Sequence, residues 1–263
     1  MVATGFRDER FAAASMMRRA MTATVDDPLK ALIAKLARLS DLDHEDRIAL
    51  ARLTYRIEEV RSSRKLVREG QETSDCCLLV QGYACRYKRA SRGGRQIVSF
   101  HLPGDILDLQ HLFLPRADHH VQAITDAKVA WIPVRALKRL CRERPKIGEA
   151  LWRDCLIDAS VFREWVLNVG RRDAKCRVAH MLCEFAARGA KAGLGPPERF
   201  ELPMTQTDIA DATGLTPVHV NRMLRRLRDE GLIAQDRREV RIVDWGRLRE
   251  VADFNPAYLH AAA

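Results

Sequence analysis

The spacing of apolar residues divides the chain into a helical start, a strand-rich middle and a helical end. Residues 28–53 repeat leucine and isoleucine at helical spacing, and the acidic run 41–46 favours the positive end of a helix dipole. After residue 55 the pattern changes to short β-rich runs separated by glycine-containing turns. These runs are 77–80, 83–87, 96–102, 121–124 and 129–132. Several short strands at regular spacing predict a sandwich or a jelly-roll-like barrel.

Residues 145–170 predict one long helix with two apolar faces. The first face carries Ile147, Leu151, Cys155, Phe162, Val166 and Val169, and the second carries Trp152, Leu156, Ala159 and Leu167. Two apolar faces require two burial partners. One reading is a helix buried within a single domain, and the other is a helix shared with a second chain. A further amphipathic helix is predicted over 173–187.

Towards the carboxyl end, local signals predict two short helices joined by a tight turn. Thr205 and Asp208 form a capping-box pattern, so a helix should begin there. Gly214 stands where a left-handed residue ends a helix, and Thr216 followed by Pro217 begins the next helix. This arrangement predicts a helix-turn-helix.

The second of these helices separates an apolar stripe from a polar face. The stripe consists of Val220, Met223, Leu224 and Leu227. Val218, Arg222 and Arg225 lie nearly opposite, flanked by His219 and Asn221. Outward Arg and Asn side chains can donate hydrogen bonds to guanine and adenine edges in a major groove, whereas a solvated cationic face is the alternative. A β-hairpin predicted over 237–243 favours a winged helix that contacts phosphates.

The order TQTDIADATGLTPVHVNRMLRRLRDEGLI resembles the winged helix-turn-helix of the Crp/Fnr family of bacterial transcription regulators. Landmarks at 69–70, 81–82 and 103–105 resemble the β-roll sensor domain of that family. The resemblance covers roughly 30–250 and implies an α+β fold with a cyclic-nucleotide-binding-like β-roll. The expected divisions are an N-terminal extension (1–27), the β-roll sensor domain (28–144), a dimerisation helix (145–170), the DNA-binding domain (171–250) and a C-terminal tail (251–263).

The resemblance also implies a homodimer that binds a near-palindromic site on double-stranded DNA, with its recognition helices about 34 Å apart. Arg222 aligns with the family's guanine-reading arginine, while Val218 replaces the usual glutamate, so an acceptor for cytosine is lost. The expected base-reading residues are Arg222, Asn221, Val218 and His219. The expected phosphate contacts are Arg225, Arg226, Thr205, Gln206, Arg237 and Arg238. The expected dimer contacts are Leu151, Cys155, Phe162, Val166 and Val169. RNA polymerase is the further partner that this family implies.

Family members that bind cyclic nucleotides hold the phosphate with a Gly-Glu pair and an Arg-Ser/Thr-Ala motif. Here Gly104-Asp105 stands in the first place, and no Arg-Ser/Thr-Ala is present. Arg116 is near the second place, but Asp118 would repel a phosphate. We therefore expect a small-molecule effector other than cyclic AMP, or no effector. Gly104, Asp105 and Arg116 are the candidate pocket residues.

Charge and cysteine content change this picture little. The formal net charge is +10, which favours a polyanionic partner. Residues 170–263 carry 16 Lys and Arg against 13 Asp and Glu, a net charge of only +3, so the arginine face is the stronger sign of DNA binding. No run of about 18 apolar residues predicts a membrane span, and residues 1–27 lack the apolar core of a secretory signal. Seven cysteines without a disulfide-framework pattern fit a reducing cytoplasm.

A cupin-like enzyme or ligand-binding protein with a helical assembly tail is the alternative from another functional class. Its metal site would need a His-x-His pattern, whereas His119 and His120 are adjacent and would face opposite sides of a strand. Iron–sulfur sensors of the Crp/Fnr family carry an N-terminal cysteine cluster, and no cysteine precedes Cys76 here. We therefore predict no catalytic residue, no metal and no cofactor. One thiol of the Cys76-Cys77 pair should be buried and the other exposed.

Overall fold

The computed structural model describes residues 27–91 and 93–260. The predicted extension 1–27 lies outside the described residues except for its last position, as do the last three residues of the predicted tail. The helical pattern over 28–53 forms two helices, α1 (Lys30–Leu39) and α2 (His44–Ala51). The acidic run supplies the N-cap of α2, where Asp43 and Asp46 form a reciprocal capping box.

Two antiparallel sheets form the β-roll that follows. Its strands are β1 (Arg56–Val60), β2 (Lys65–Val67), β3 (Asp75–Gln81), β4 (Ala84–Arg89), β5 (Arg95–His101), β6 (His120–Ala123) and β7 (Ala127–Pro133). One sheet has the order β1-β7-β3 and the other β2-β6-β4-β5. Their inner faces bury a core that includes Leu79, Val121 and Val129. The five predicted runs are confirmed as β3 to β7, whereas the exposed and charged β1 lacked a clear apolar alternation.

A short helix, α3 (Val134–Glu143), leads into the long helix α4 (Pro145–Arg171), which confirms the prediction over 145–170. The first turns of α4 pack against α1 in a core that contains Leu32, Leu36, Ile147 and Leu151. Leu151 is only 3 % exposed, so its assignment to a dimer contact is wrong. The periodicity had identified an apolar face there, but α1 of the same chain already covers it.

The rest of the chain forms the helix-turn-helix unit. Its elements are α5 (Ala174–Lys191), β8 (Arg199–Glu201), α6 (Gln206–Thr213), α7 (Pro217–Asp229), β9 (Ile233–Asp236), β10 (Glu239–Ile242), α8 (Trp245–Val251) and a 3-10 turn (Pro256–Leu259). The strands form a small sheet in the order β8-β10-β9, so the predicted hairpin gains a third strand.

The predicted boundaries of α6 and α7 are confirmed in detail. Thr205 and Asp208 form the reciprocal capping box at the start of α6. Gly214 ends this helix with φ +66°, a left-handed conformation that other residues adopt only with strain. Thr216 then caps α7, with Pro217 at its first position. Four buried side chains of α7 hold it against the unit's core: Val220, Met223, Leu224 and Leu227.

Candidate nucleic-acid interface and effector cavity

The amino-terminal half of α7 presents a solvent-facing surface of polar and basic side chains. Val218 is 82 % exposed and Arg222 is also exposed, while His219 and Asn221 are half-buried beside them. The four residues predicted to contact bases therefore lie within the first two turns of one helix. Among the described residues, no carboxylate lies within ion-pair distance of Arg222. Its guanidinium can therefore donate to a base without first breaking an internal ion pair.

One of the arginines predicted to contact phosphate already forms an ion pair within the chain. Arg225 is exposed on the same helix, whereas Arg226 pairs with Glu230 at 3.3 Å. Arg237 and Arg238 occupy the exposed turn between β9 and β10, where Arg237 has φ +51°. A positively charged turn beside a helix with exposed arginines suits contact with neighbouring phosphates.

The two residues predicted to contact phosphate at the start of α6 are also at the surface. Thr205 Oγ1 accepts a hydrogen bond from the backbone N–H of Asp208 at 3.1 Å and donates one to its carboxylate at 2.6 Å. Capping therefore already occupies this hydroxyl. Gln206 is exposed at the first helical position.

Helix α4 exposes a row of large apolar side chains on the side away from its own chain. We call these residues the α4 stripe: Trp152, Leu156, Phe162, Val166 and Leu167, exposed by 60, 51, 47, 58 and 42 %. The stripe contains residues from both of the apolar faces that periodicity had separated, because different segments of the chain cover α4 at its start and further along. Cys155 and Val169 are half-buried at its edges.

The Gly-Asp pair predicted at the effector site lies in the loop after β5. Gly104 has φ +94°, and a Cβ there would lie 3.2 Å from the backbone of Ala31 in α1. Its N–H donates to the carbonyl of Leu79 at 2.8 Å, so this amide is already paired within the protein. Asp105 lies between two cations, with Lys35 Nζ at 2.8 Å and Arg188 Nη2 at 3.3 Å.

Arg116 lies away from the Gly104-Asp105 pair. Its side chain is 70 % exposed and forms an ion pair with Glu72 at 3.0 Å. The three candidate pocket residues therefore do not form one site. The structure instead shows a cavity of about 380 Å³ that Asp105 lines and that Arg116 does not reach.

Two aspartates on α4, Asp154 and Asp158, lie close to its first apolar face in the sequence pattern, and both line this cavity. Asp154 pairs with Lys35 at 2.7 Å, and Asp158 pairs with Arg86 of β4 at 2.6 Å. Burial alone would raise the pKa of Asp105, but the Lys35 ammonium beside it holds that pKa well below its usual range. Burial likewise opposes ionisation of Asp158, and Arg86 lowers the pKa of that carboxyl. Sequence reasoning missed this charge cluster, for which the acidic pair on an apolar helix face was the available signal.

The vicinal cysteines of β3 test the prediction that one thiol of the pair is exposed. Cys76 and Cys77 are both fully buried, so the prediction of one exposed thiol is wrong. Both sides of β3 are covered, because Cys76 packs in the core that contains α1 and Cys77 packs in the β-roll core. Burial raises the pKa of both thiols. Among the described residues, no group of three or more His, Cys, Asp or Glu side chains has the arrangement of a metal site.

Two parts of the chain match models of known protein families. Residues 57–144 match the cyclic nucleotide-binding domain, and residues 176–251 match the Crp-like helix-turn-helix domain. These ranges contain the β-roll with α3, and α5 to α8. Within the part of the chain that the structure describes, no helix combines the length and the apolar character needed to cross a membrane.

Whole-chain comparisons agree with this division. The chain is 28 % identical to the transcriptional activator protein FnrL of Cereibacter sphaeroides, over 80 % of this chain and 85 % of that protein. It is 26 % identical to the fumarate and nitrate reduction regulatory protein of Vibrio cholerae, over 81 % and 83 % of the two chains. The structure of FixK2 from Bradyrhizobium japonicum superposes with a TM-score of 0.70 at 28 % identity, covering 76 % of this chain and 98 % of that one. Both domains are matched in order, and the relatives align over most of their own length. The chain therefore belongs to the Crp/Fnr family of transcription regulators.

Proposed function

We propose that the chain binds double-stranded DNA as a homodimer at a near-palindromic site and regulates transcription there, in the cytoplasm, together with RNA polymerase. The observation that carries this proposal is the exposed polar surface of α7, in which Arg222 has no internal ion pair among the described residues. Arg222 contacts a guanine, and Asn221 and Val218 contact neighbouring base pairs. Arg225, Arg226 and the arginines of the β9–β10 turn contact phosphates and set the affinity.

The proposal is tested by selecting binding sites from a random pool of double-stranded DNA with the purified chain. An enriched inverted repeat is the expected result, because a two-fold symmetric dimer presents two identical α7 surfaces. Arg222→Ala should lose about 1–3 kcal/mol of binding free energy on that site and relax the preference at one base pair of each half-site. Arg247→Ala is the matched control, since Arg247 is an exposed arginine on α8 rather than on α7.

Two results would count against this assignment. Selection that enriches no sequence, with or without cell extract, would contradict sequence-specific binding. Equal losses for Arg222→Ala and Arg247→Ala would mean that the arginines supply only charge and that α7 does not read bases.

The α4 stripe supports the dimer. A stable monomer rarely leaves five large apolar side chains exposed along one helix. Trp152, Leu156, Ala159 and Val166 follow one another at intervals of 4, 3 and 7 residues, which is the spacing of a two-helix seam. A second copy of α4 is the occupant that matches this pattern, because each stripe then covers the other in an isologous interface.

The effector in this proposal is not cyclic AMP. The Gly104 amide is already paired to a carbonyl, Asp105 already forms ion pairs with Lys35 and Arg188, and Arg116 is exposed at another place. A phosphate entering beside Asp105 would meet a carboxylate before it met an unpaired cation. Isothermal titration of the chain with cyclic AMP should show no stoichiometric binding, and tight binding of one nucleotide per chain would overturn this part.

A further inference from the structure

The cavity of about 380 Å³ lies where the main parts of the chain meet. Helix α1 forms one wall, β4, β5 and the loop 102–110 form another, and the middle of α4 forms a third. The end of α5 and the last described residues close it. Its size is that of sites that hold small organic ligands. Exposed lining residues such as Ala34, Arg38 and Lys191 mark its opening to solvent.

The lining of the cavity is amphipathic and carries an excess of positive charge. Leu102, Ile106 and Val161 supply buried apolar surface. Five of the lining residues are cationic, namely Lys35, Arg38, Arg86, Arg188 and Lys191, and three are anionic, namely Asp105, Asp154 and Asp158. Five positive and three negative side chains leave a net charge of +2, which favours an anion over a cation or a neutral molecule.

Arg86 is the lining cation that has a buried N–H group without an acceptor in the described part of the chain. Its Nη1 pairs with Asp158 at 2.6 Å and its Nη2 donates to the carbonyl of Leu107 at 2.9 Å. Its Nε is buried without a hydrogen-bond partner among the described residues, and so is Nε2 of the neighbouring His101. The buried Nε–H of Arg86 is costly without an acceptor, so an acceptor supplied by a ligand would be favourable there.

The acidic group of such a ligand can displace Asp158 from its pair with Arg86. Its side chain is 40 % exposed, whereas that of Arg86 is 14 % exposed. When another acid pairs with Arg86, the Asp158 carboxylate can turn to water, because its side chain is the more exposed of the two, while Arg86 stays buried and paired.

We propose that this cavity binds a small amphipathic organic anion. Its acidic group pairs with Arg86 in place of Asp158, and its apolar body packs on Leu102, Ile106 and Val161. The binding does not depend on the proposed function. A regulatory role for the bound anion does rest on the proposed function. Helix α5 reaches the cavity through Arg188, whose 3.3 Å contact with Asp105 joins the helix-turn-helix unit to the β-roll. An anion among these charges changes the strength of that contact.

The test uses the full chain and a matched pair of fluorescent probes, measured without DNA. 8-Anilino-1-naphthalenesulfonate is an amphipathic anion, and N-phenyl-1-naphthylamine has the same rings without the charge. The anionic probe should bind at one molecule per chain. Arg86→Met should weaken its binding about tenfold or more, because one charge-assisted pair is lost. Asp158→Asn should tighten it several-fold, because the competing carboxylate is removed. The neutral probe should respond to neither change.

A steric pair of variants locates the site. Ala34→Trp places a large ring at the opening of the cavity, whereas Ala51→Trp places the same ring on an exposed alanine at the end of α2, which does not line it. Only the first should weaken binding of the anionic probe. Absence of stoichiometric binding would overturn the proposal, and so would equal binding by all four variants, which would place the probe on another apolar surface such as the α4 stripe. A gain in affinity for Asp158→Asn at an unchanged stoichiometry of one probe per chain distinguishes binding in the cavity from a partly unfolded chain, which would bind the anionic probe at many exposed apolar places. Because DNA is absent, failure of DNA recognition would leave this result standing.

Discussion

Placing a charge in the α4 stripe should convert a dimer into monomers, and Val166→Asp is the sharpest such change. Val166 is 58 % exposed, so the protomer itself loses little packing. Aspartate and valine have similar helix propensities, so α4 should persist. By two-fold symmetry each substitution enters the interface twice, once from each chain.

The expected loss of dimer stability follows from the exposure of the residues in the α4 stripe. Full burial of a large apolar side chain contributes about 1.5–3 kcal/mol, so the exposed half of each stripe residue is worth about 1 kcal/mol on dimerisation. Ten such side chains supply about 10 kcal/mol against an association cost of about 4–15 kcal/mol, so the balance is easily upset. Removing Val166 and burying a carboxylate costs at least about 2 kcal/mol for each chain. The dimer loses about 4 kcal/mol, which is about three decades in dissociation constant.

Sedimentation equilibrium over a range of chain concentrations measures this constant. Val243→Asp is the matched control, because Val243 is 52 % exposed but lies at the end of the wing rather than on α4. We expect a wild-type dimer, an unchanged Val243→Asp dimer and a Val166→Asp monomer with native circular dichroism. A Val166→Asp chain that keeps the wild-type dissociation constant would refute the stripe as the interface, and a monomeric wild-type chain would refute the dimer.

Two further predictions concern buried groups. Burial, assisted by Arg86 for His119 and by Arg172 for His180, lowers the pKa of each histidine to about 4, below the ordinary value of about 6.5. The unfolded chain therefore takes up these protons first, so the stability that neutral histidines provide is present above pH 6.5 and is lost as the pH falls towards 4, by up to about 3 kcal/mol for each. Urea unfolding at pH 7 and pH 5 should show this loss, and His180→Gln should make it smaller; an identical slope in the variant would contradict the role of His180. Burial raises the pKa of all seven thiols, to about 11 for Cys155 and Cys176 and to about 12 for Cys85 and Cys183. The native chain should therefore react slowly with Ellman's reagent at pH 7.5 and rapidly only when unfolded, and one fast stoichiometric thiol in the native chain would disprove this.

The helix-turn-helix was predictable to within a residue or two because its boundaries are set by local chemistry. The capping pair of Thr205 and Asp208, the left-handed Gly214 and the sequence Thr216-Pro217 each act on backbone groups within four residues. The apolar stripe of α7 likewise needed only helical periodicity. Such features do not depend on which distant segment later packs against them.

The errors all concern which distant segment covers a surface. Periodicity showed that Leu151 is on an apolar face, but not that α1, more than a hundred residues earlier, covers that face. The vicinal cysteines alternate across β3 as expected, yet both sides of that strand are covered. The partners of Asp105 are equally remote, at Lys35 and Arg188, so a motif comparison could not show that its charge is already balanced.

Remote ion pairs also help to hold the helix-turn-helix unit against the β-roll, beside the apolar core that β5 shares with that unit. Besides the contact between Asp105 and Arg188, Arg95 of β5 pairs with Asp208 at 2.7 Å and with Asp211 at 2.5 Å, both on α6. These three side chains are 14–25 % exposed, so salt screens them less than a surface pair. Both attachments are ionic, and one of them borders the cavity while the other is on the helix next to the recognition helix. Because charged groups compete for the same partners, an anion near Arg188 acts on the first attachment, whereas the pairs of Arg95 with α6 do not border the cavity. The position of α7 therefore depends on these ion pairs together with the apolar core that β5 shares with the helix-turn-helix unit, and of the two ionic attachments only the one at Arg188 borders the cavity.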